Sequence, residues 1–347
     1  MGILTFVVVL VALIVVHELG HFFAAKISKM RVDEFGIGYP PKLFGKKFGE
    51  TEYTLNALPF GGFVKIYGEN LDHGDDDKAR AFANRPKILQ AFVLAAGVAM
   101  NILVGWALIA IVLFSGAPRA LTPDQIPLAS DVTLTVTYIV PGSPAQDADI
   151  APGDVVIASS YGEQVFEGVA VEDFVQHVGA AAGEEVSLTV LRDNEEVVLT
   201  VVPEEGIIEG QGAIGVGLAS VGSLEISFWQ ALGESVVVTG VLLRDIVIGI
   251  TTFLFQALTF SADLNQIAGP VGIAGVVADA SENGLIPLLS LTALISLNLA
   301  VINLLPVPAL DGGRLLFVAI ESVIRRPIPV QVAQTANTIG FLLLLLL

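Results

Sequence analysis

The chain is patterned as long apolar blocks separated by shorter polar ones. Ile3 to Ala25 contains no ionisable side chain besides His17, Glu18 and His21, and Ala91 to Phe114 contains none at all. Val236 to Phe260 is interrupted by Arg244 and Asp245, Leu285 to Leu310 is again uncharged, and a last block runs from Ile339 to Leu347. A helix needs about 20 apolar residues to cross the hydrocarbon core of a bilayer, so blocks of this length predict membrane spans. The first block is not read as a cleaved leader, because it lacks a basic n-region and carries ionisable groups where an h-region has none. The final block predicts a last helix over 328–347 that continues beyond the residues given.

The polar blocks orient the spans. Lys26, Lys29, Arg31, Lys42, Lys46, Lys47 and Lys65 follow the first apolar block, and Arg80, Arg85 and Lys87 precede the second. By the positive-inside bias this loop, 28–88, lies in the cytoplasm, which puts the N-terminus outside. Arg325 and Arg326 mark the next cytoplasmic turn. Val236 to Phe260 is ambiguous: its Val, Leu, Ile and Phe side chains favour insertion by about 0.3–0.6 kcal/mol each, and Arg244 with Asp245 oppose it by roughly 5–7 kcal/mol together. Parity decides, since a crossing here would put Arg325 and Arg326 on the wrong side. The expectation is an interfacial or re-entrant helix within a linker region 206–284, and four spans at 1–27, 89–116, 285–316 and 328–347.

Charge and composition narrow the class further. The 347 residues are 54% hydrophobic and 15% charged, with a net charge of −18. Between Ala120 and Glu225 stand 18 Asp and Glu against one basic residue, Arg192, so the imbalance belongs to one polar region. Nucleic acid is excluded as a partner of such a surface. TLTVTYIV, VSLTVL and EVVLTVV alternate or run in β-branched residues, and PGSPA and APGD supply turns, so 125–205 predicts a compact β-rich domain outside the membrane. Residues 206–224 are Gly-rich and read as linker. There is no cysteine, which excludes disulfides and thiolate metal sites.

In HELGH the histidines are i and i+4, one turn apart on one helix face, where both can reach a single ion with Glu18 beside it. Ionisable groups inside a span cost several kcal/mol and persist mainly where they function, which favours a metal site over a chance pattern. A catalytic zinc needs a third protein ligand and an open position. His73, in DHGDDD, and His177, in the β-rich region, are not at the right depth. Asp311, in NLLPVPALDGGRLLF, is: the parity argument brings it to the cytoplasmic side, and His17 is likewise near the cytoplasmic end of its span.

HELGH in the first span, LDGG after NLLPVP in a later one, and a β-rich insertion between them resemble the site-2 protease family of intramembrane zinc metalloproteases (peptidase M50), in its bacterial RseP type. TEYTLNALPFGGFVKIYGE resembles the family's membrane-associated β-hairpin segment, here 35–66. FANRPKILQAFVLAAGVAMN is similar to the entry of its second span, and ALISLNLAVINLLPVPALDGGRLLF to its LDG-bearing helix. The sequence departs from the family pattern at Val98, where a proline often follows the glycine.

The resemblance implies a polytopic α-helical membrane protein with an inserted β-rich PDZ-like domain and a membrane-associated β-hairpin. It implies Zn²⁺ held by His17, His21 and Asp311, with Glu18 as the base. Asn303 and Asn101 would contact substrate; since a transmembrane helix must unwind before it is cut, an exposed strand edge near 52–66, including Gly61, Gly62 and Phe63, is expected to receive the unwound segment as an added strand. The expected partners are transmembrane protein substrates trimmed beforehand, such as anti-sigma factors and signal-peptide remnants, a peptide ligand of the PDZ-like domain, and the lipid bilayer. The expected location is the inner (plasma) membrane, with the active site near the cytoplasmic side. A non-proteolytic scaffold with a structural metal and a peptide-receptor domain is the competing expectation.

Overall fold

The computed structural model describes residues 2–69, 77–192, 194–208, 211–259, 261 and 269–346. Two compact units emerge, Met1–Val112 with Trp229–Leu347, and Leu113–Phe228. His73 lies outside the described residues.

The first unit opens with helix α1 (Gly2–Ile27), which buries Leu13, His17, Gly20, His21 and Ala24 along one stripe at helical spacing. Strands β1 (Val32–Phe48) and β2 (Thr51–Ile66) follow directly. They are more than the simple hairpin expected over 35–66. Phe35 pairs with Tyr53 on one side and Val64 on the other, and Ile37 with Leu55 and Gly62, while Lys42 to Phe48 pair with Asn56 to Thr51. Two long strands thus fold into four segments, with the first part of β1 in the middle and 62–66 at an edge. Gly38 (φ 77°) and Gly61 (φ 131°) take backbone angles that suit glycine at the two bends. Glu50, next to the turn between the strands, accepts from Lys26 Nζ at 2.7 Å and pairs with Arg80 Nη1 at 2.8 Å, which ties the turn to the end of α1. Those two cations hold its carboxyl down at about 2.

Helix α2 (Lys87–Phe114) packs on α1 through glycine. A side chain at Gly20 would stand 2.3 Å from the Ala96 carbonyl, closer than any Cβ tolerates.

The second unit holds β3 (Arg119–Ala120), β4 (Ser130–Ile139), α3 (Pro144–Asp147), β5 (Val155–Tyr161), β6 (Gln164–Phe166), α4 (Val171–Ala180), β7 (Val186–Arg192), β8 (Glu195–Val201), β9 (Glu204–Ile208), β10 (Gln211–Ala213) and β11 (Val216–Ser223). The main sheet runs β3-β11-β4-β5-β7-β8, with β6 on β5. Leu134, Val136, Val156, Val186, Leu188, Val190 and Ile214 form its core with Phe174 and Val178 of α4. Two expectations change. The domain is wider than 125–205, and 206–224 is not linker: β11 lies between β3 and β4 in the sheet. VGLASVGS hides this strand because small residues fill its alternate positions, and the register with β4 rests on backbone pairing.

The first unit resumes with α5 (Phe228–Leu258), α6 (Pro270–Glu282), α7 (Leu285–Leu304), α8 (Asp311–Ile324) and α9 (Val330–Leu346). Among the described residues, four helices are long and apolar enough to cross a membrane: α1, α2, α5 and α7. The protein is therefore built to be embedded in a membrane. This set differs from the expected four. The span predicted over 285–316 breaks into α7 and α8, because Pro306 and Pro308 cannot continue a helix. Block 236–260 lies in one helix without a break up to Leu258, not the broken helix that re-entry requires, and α9 spans 17 residues.

In the β-rich unit, Arg192, the lone base of the acidic stretch, forks onto Asp154 at 2.7 and 2.8 Å. Asp154 is 1% exposed and accepts a further bond from the Ala151 amide. Arg192 and that amide hold the Asp154 carboxyl below its ordinary value of 3.8, so the pair stabilises the fold above that pH and loses its contribution as pH falls through the lowered value. Arg192→Met leaves a buried carboxylate unpaired and should destabilise the domain by about 2 kcal/mol at neutral pH, less than for a fully buried pair because Arg192 reaches solvent. Denaturant unfolding followed at pH 7 and pH 3 checks this, and the difference between variant and wild type should shrink at the lower pH.

Candidate metal centre

Three distant pieces of chain meet at one point. His17 Nε2 stands 2.9 Å from Asp311 Oδ2, His21 Nε2 stands 3.0 Å from the same oxygen, and the two nitrogens are 3.1 Å apart. Both histidines are buried. The helix repeat brings His17 and His21 to one face of α1, and the break after α7 brings Asp311 to them as the first residue of α8. That break is crowded: a side chain at Gly312 would stand 2.2 Å from the Leu304 carbonyl, and one at Gly313 2.3 Å from that of Val307. The two glycines of LDGG are what lets α8 start close enough for its carboxylate to reach α1.

Hydrogen bonding fixes one ring. His21 Nδ1 lies 2.8 Å from the Val93 carbonyl, which only accepts, so Nδ1 carries the proton and Nε2 of the neutral ring presents a lone pair. In that form the lone pair faces a carboxylate oxygen and another ring nitrogen, three donor atoms that one metal ion can join. In a tetrahedral zinc site with bonds of about 2.0–2.1 Å, ligand atoms stand roughly 3.3 Å apart. Two imidazole nitrogens and one carboxylate oxygen at 2.9–3.1 Å therefore fit zinc in both spacing and chemistry. Among the described residues this is the one His, Asp and Glu group close enough to hold a metal.

A cavity of about 360 Å³ opens beside the three ligands. Glu18 and Asp311 line it together with Gly62, Phe63 and Val64 of the β2 edge, and Glu69, Arg314 and Asn337 complete its polar wall. A Cβ at Gly62 would lie 3.6 Å from Glu18 Cγ, so the β edge runs directly over the acid. Arg314, one turn beyond Asp311, is bonded to Glu69 at the end of the β segment.

Of the residues singled out in the sequence, His17, Glu18, His21, Asp311, Gly62 and Phe63 come together here. Gly61 does not line the cavity; it bends β2 against the Tyr39 ring, which does. Asn303 is half-buried on α7 and is not among the lining residues, and Asn101 faces His17 rather than the cavity. Sequence reasoning missed Glu69, Arg314, Asn337 and Gly97. A Cβ at Gly97 would stand 2.5 Å from His21 Nε2 and 2.8 Å from His17 Cε1. The available signal was a glycine inside an apolar helix, where it costs about 1 kcal/mol against alanine and needs a reason.

Such a site, with two histidines one turn apart inside an apolar helix, a carboxylate from the start of a second helix and an acid over an open cavity, defines a membrane-embedded metallohydrolase. Residues 5–347 match the family description Peptidase family M50. A Clostridium perfringens protein whose name carries the words zinc metalloprotease is 36% identical over 96% of this chain and 92% of its own length. The zinc metalloprotease RasP of Geobacillus kaustophilus is 31% identical over 100% of this chain and 95% of its own. The chain belongs to peptidase family M50.

Gly97→Ala should push the two imidazoles off their shared point and weaken zinc binding by tenfold or more, on the scale of losses from disturbed ligand orientation. Competition with a chromophoric chelator measures it; a variant that binds zinc like the wild type shows that the histidines have room to move.

Proposed function

We propose that the chain is an intramembrane zinc metalloprotease in which His17, His21 and Asp311 hold the metal and Glu18 moves the proton. The observation that carries this is the convergence of His17 Nε2, His21 Nε2 and Asp311 Oδ2 beside Glu18 at an open cavity. Zinc held by these three residues would supply a Lewis acid able to lower the pKa of water to near 7 and to polarise a peptide carbonyl. Glu18 takes the proton of the attacking water and returns it to the leaving amine. A structural zinc is usually closed by four protein ligands, and the three found among the described residues disfavour the scaffold alternative.

The substrate is a peptide segment of a membrane protein. A helix keeps its carbonyls in its own ladder, so it must unwind before a bond is cut. The 62–66 edge pairs on one side with β1 and borders the cavity on the other, which supports its taking up the unwound segment as an added strand. Asn303 lies eight residues before Asp311 and is assigned, with Gly61, to the approach of substrate rather than to the cavity wall. Lys and Arg at 26–87 support a cytoplasmic site, an outer β-rich unit and the inner membrane as the location. On the same parity, α5 lies at the interface, where its exposed Arg244 and Asp245 keep their charge in polar surroundings. The β-rich unit acts as a PDZ-like peptide receptor that screens substrates already trimmed on the outer side.

Glu18→Gln should keep its zinc and lose cleavage of a single-span substrate by 100-fold or more, the contribution of a positioned acid-base group. Metal analysis and cleavage on the same preparation check it; a variant that still cuts overturns the role. Phe63→Pro and Val64→Pro test the β edge, since successive N–H groups point to opposite sides of a strand and one of the two faces the cavity. One variant should lose at least tenfold in cleavage with zinc retained, and two folded variants that both cut normally would sink strand addition.

A further inference from the structure

Asn101 is on α2, 0% exposed, inside an apolar membrane helix where an unpaired amide is expensive. Its side chain meets His17: the amide nitrogen lies 3.4 Å from Nδ1, the ring nitrogen turned away from the metal point. Its amide oxygen is buried and has no hydrogen-bond partner. The residue is fixed from the other side as well, because Ser296 Oγ of α7 donates to the Asn101 backbone carbonyl at 2.8 Å. The helix-to-helix bond is therefore made by the backbone, and the side chain is left free for another task.

The chemistry of His17 names that task. A neutral imidazole that gives Nε2 to a metal carries its proton on Nδ1, and that proton needs an acceptor. The two ends of a carboxamide have nearly the same shape, so a half-turn about the last side-chain bond exchanges oxygen and nitrogen without disturbing the packing. In that orientation the amide oxygen, otherwise without a partner, receives the His17 Nδ1 proton. His21 has the same arrangement through the Val93 carbonyl, also on α2. Helix α2 contributes no ligand, yet it faces the far side of both ligand rings.

We propose that Asn101 is a positioning residue that accepts the Nδ1–H of His17 and holds the ring with its Nε2 lone pair toward the metal. This rests on the metal reading above, but it concerns a residue that touches neither the ion nor the substrate. It also replaces the substrate-contacting role expected for Asn101 from the sequence. Aspartate in this position keeps an acceptor for Nδ1–H, whereas leucine keeps the size and removes it. Asn101→Leu should therefore weaken zinc binding by 10- to 100-fold, and Asn101→Asp should stay within about threefold of the wild type.

The experiment is zinc titration of the full chain in detergent against a chromophoric chelator, for the wild type, Asn101→Leu and Asn101→Asp, with thermal unfolding as a check on folding. Wild-type affinity in the leucine variant overturns the proposal, and so does an aspartate variant as weak as leucine, since a role in packing alone predicts no rescue. If the leucine variant does not fold, Asn101→Ala takes its place. Nitrogen-15 spectra of the zinc-loaded wild type supply an independent readout: His17 should show a protonated Nδ1, and a metal-bound Nδ1 rules the proposal out. A wild type that takes up no zinc overturns the metal site itself, which separates that failure from the failure of Asn101 alone.

Discussion

The meeting of three electron-rich atoms inside apolar helices is the constraint on which this unit depends. His17 Nε2, His21 Nε2 and Asp311 Oδ2 share a space about 3 Å across, and the bond from His21 Nδ1 to Val93 turns the other nitrogen of that ring toward the shared point. A metal ion bound at this point would tie α1 to α8 with α2 packed against the histidine rings, so metal uptake and correct packing of the three helices are coupled. The glycines follow from this. Gly20 lets α1 and α2 approach, Gly97 leaves room for the imidazoles, and Gly312 and Gly313 let α8 start at its tight turn. Each is a helical position where a methyl group collides with something the metal point requires.

Much of the site was legible because its chemistry is local. HELGH fixes its own geometry through the helix repeat, and Asp311 could be inferred from depth, since the membrane orders residues along one axis. What lay across that axis was not legible. The approach of α2 behind the histidine rings, the bond between Arg314 and Glu69, and the arrival of Asn337 from α9 depend on which helix neighbours which, and apolar periodicity carries little of that information.

The β structure divides in the same way. Strands rich in Val, Leu and Thr at 134–139, 186–191 and 196–201 declared themselves, but β11 did not, because a strand made of Val, Gly, Ala and Ser resembles a flexible connector. In the first unit the register of 32–66 could not be read from alternation, since two segments pair on both sides and the chain bends twice. The α7–α8 break was written in Pro306 and Pro308, yet the uncharged run through Leu310 masked it as a single span.

The wall of the cavity has one further consequence. Three acidic side chains, Glu18, Glu69 and Asp311, face one arginine, Arg314, across it, so with these four ionised and His21 neutral as a ligand the protein carries two negative charges in that space. A divalent ion cancels this excess. A polypeptide backbone, which is uncharged, then meets an electrically neutral chamber, and a neutral chamber is the kind that a low-dielectric membrane can enclose at least cost.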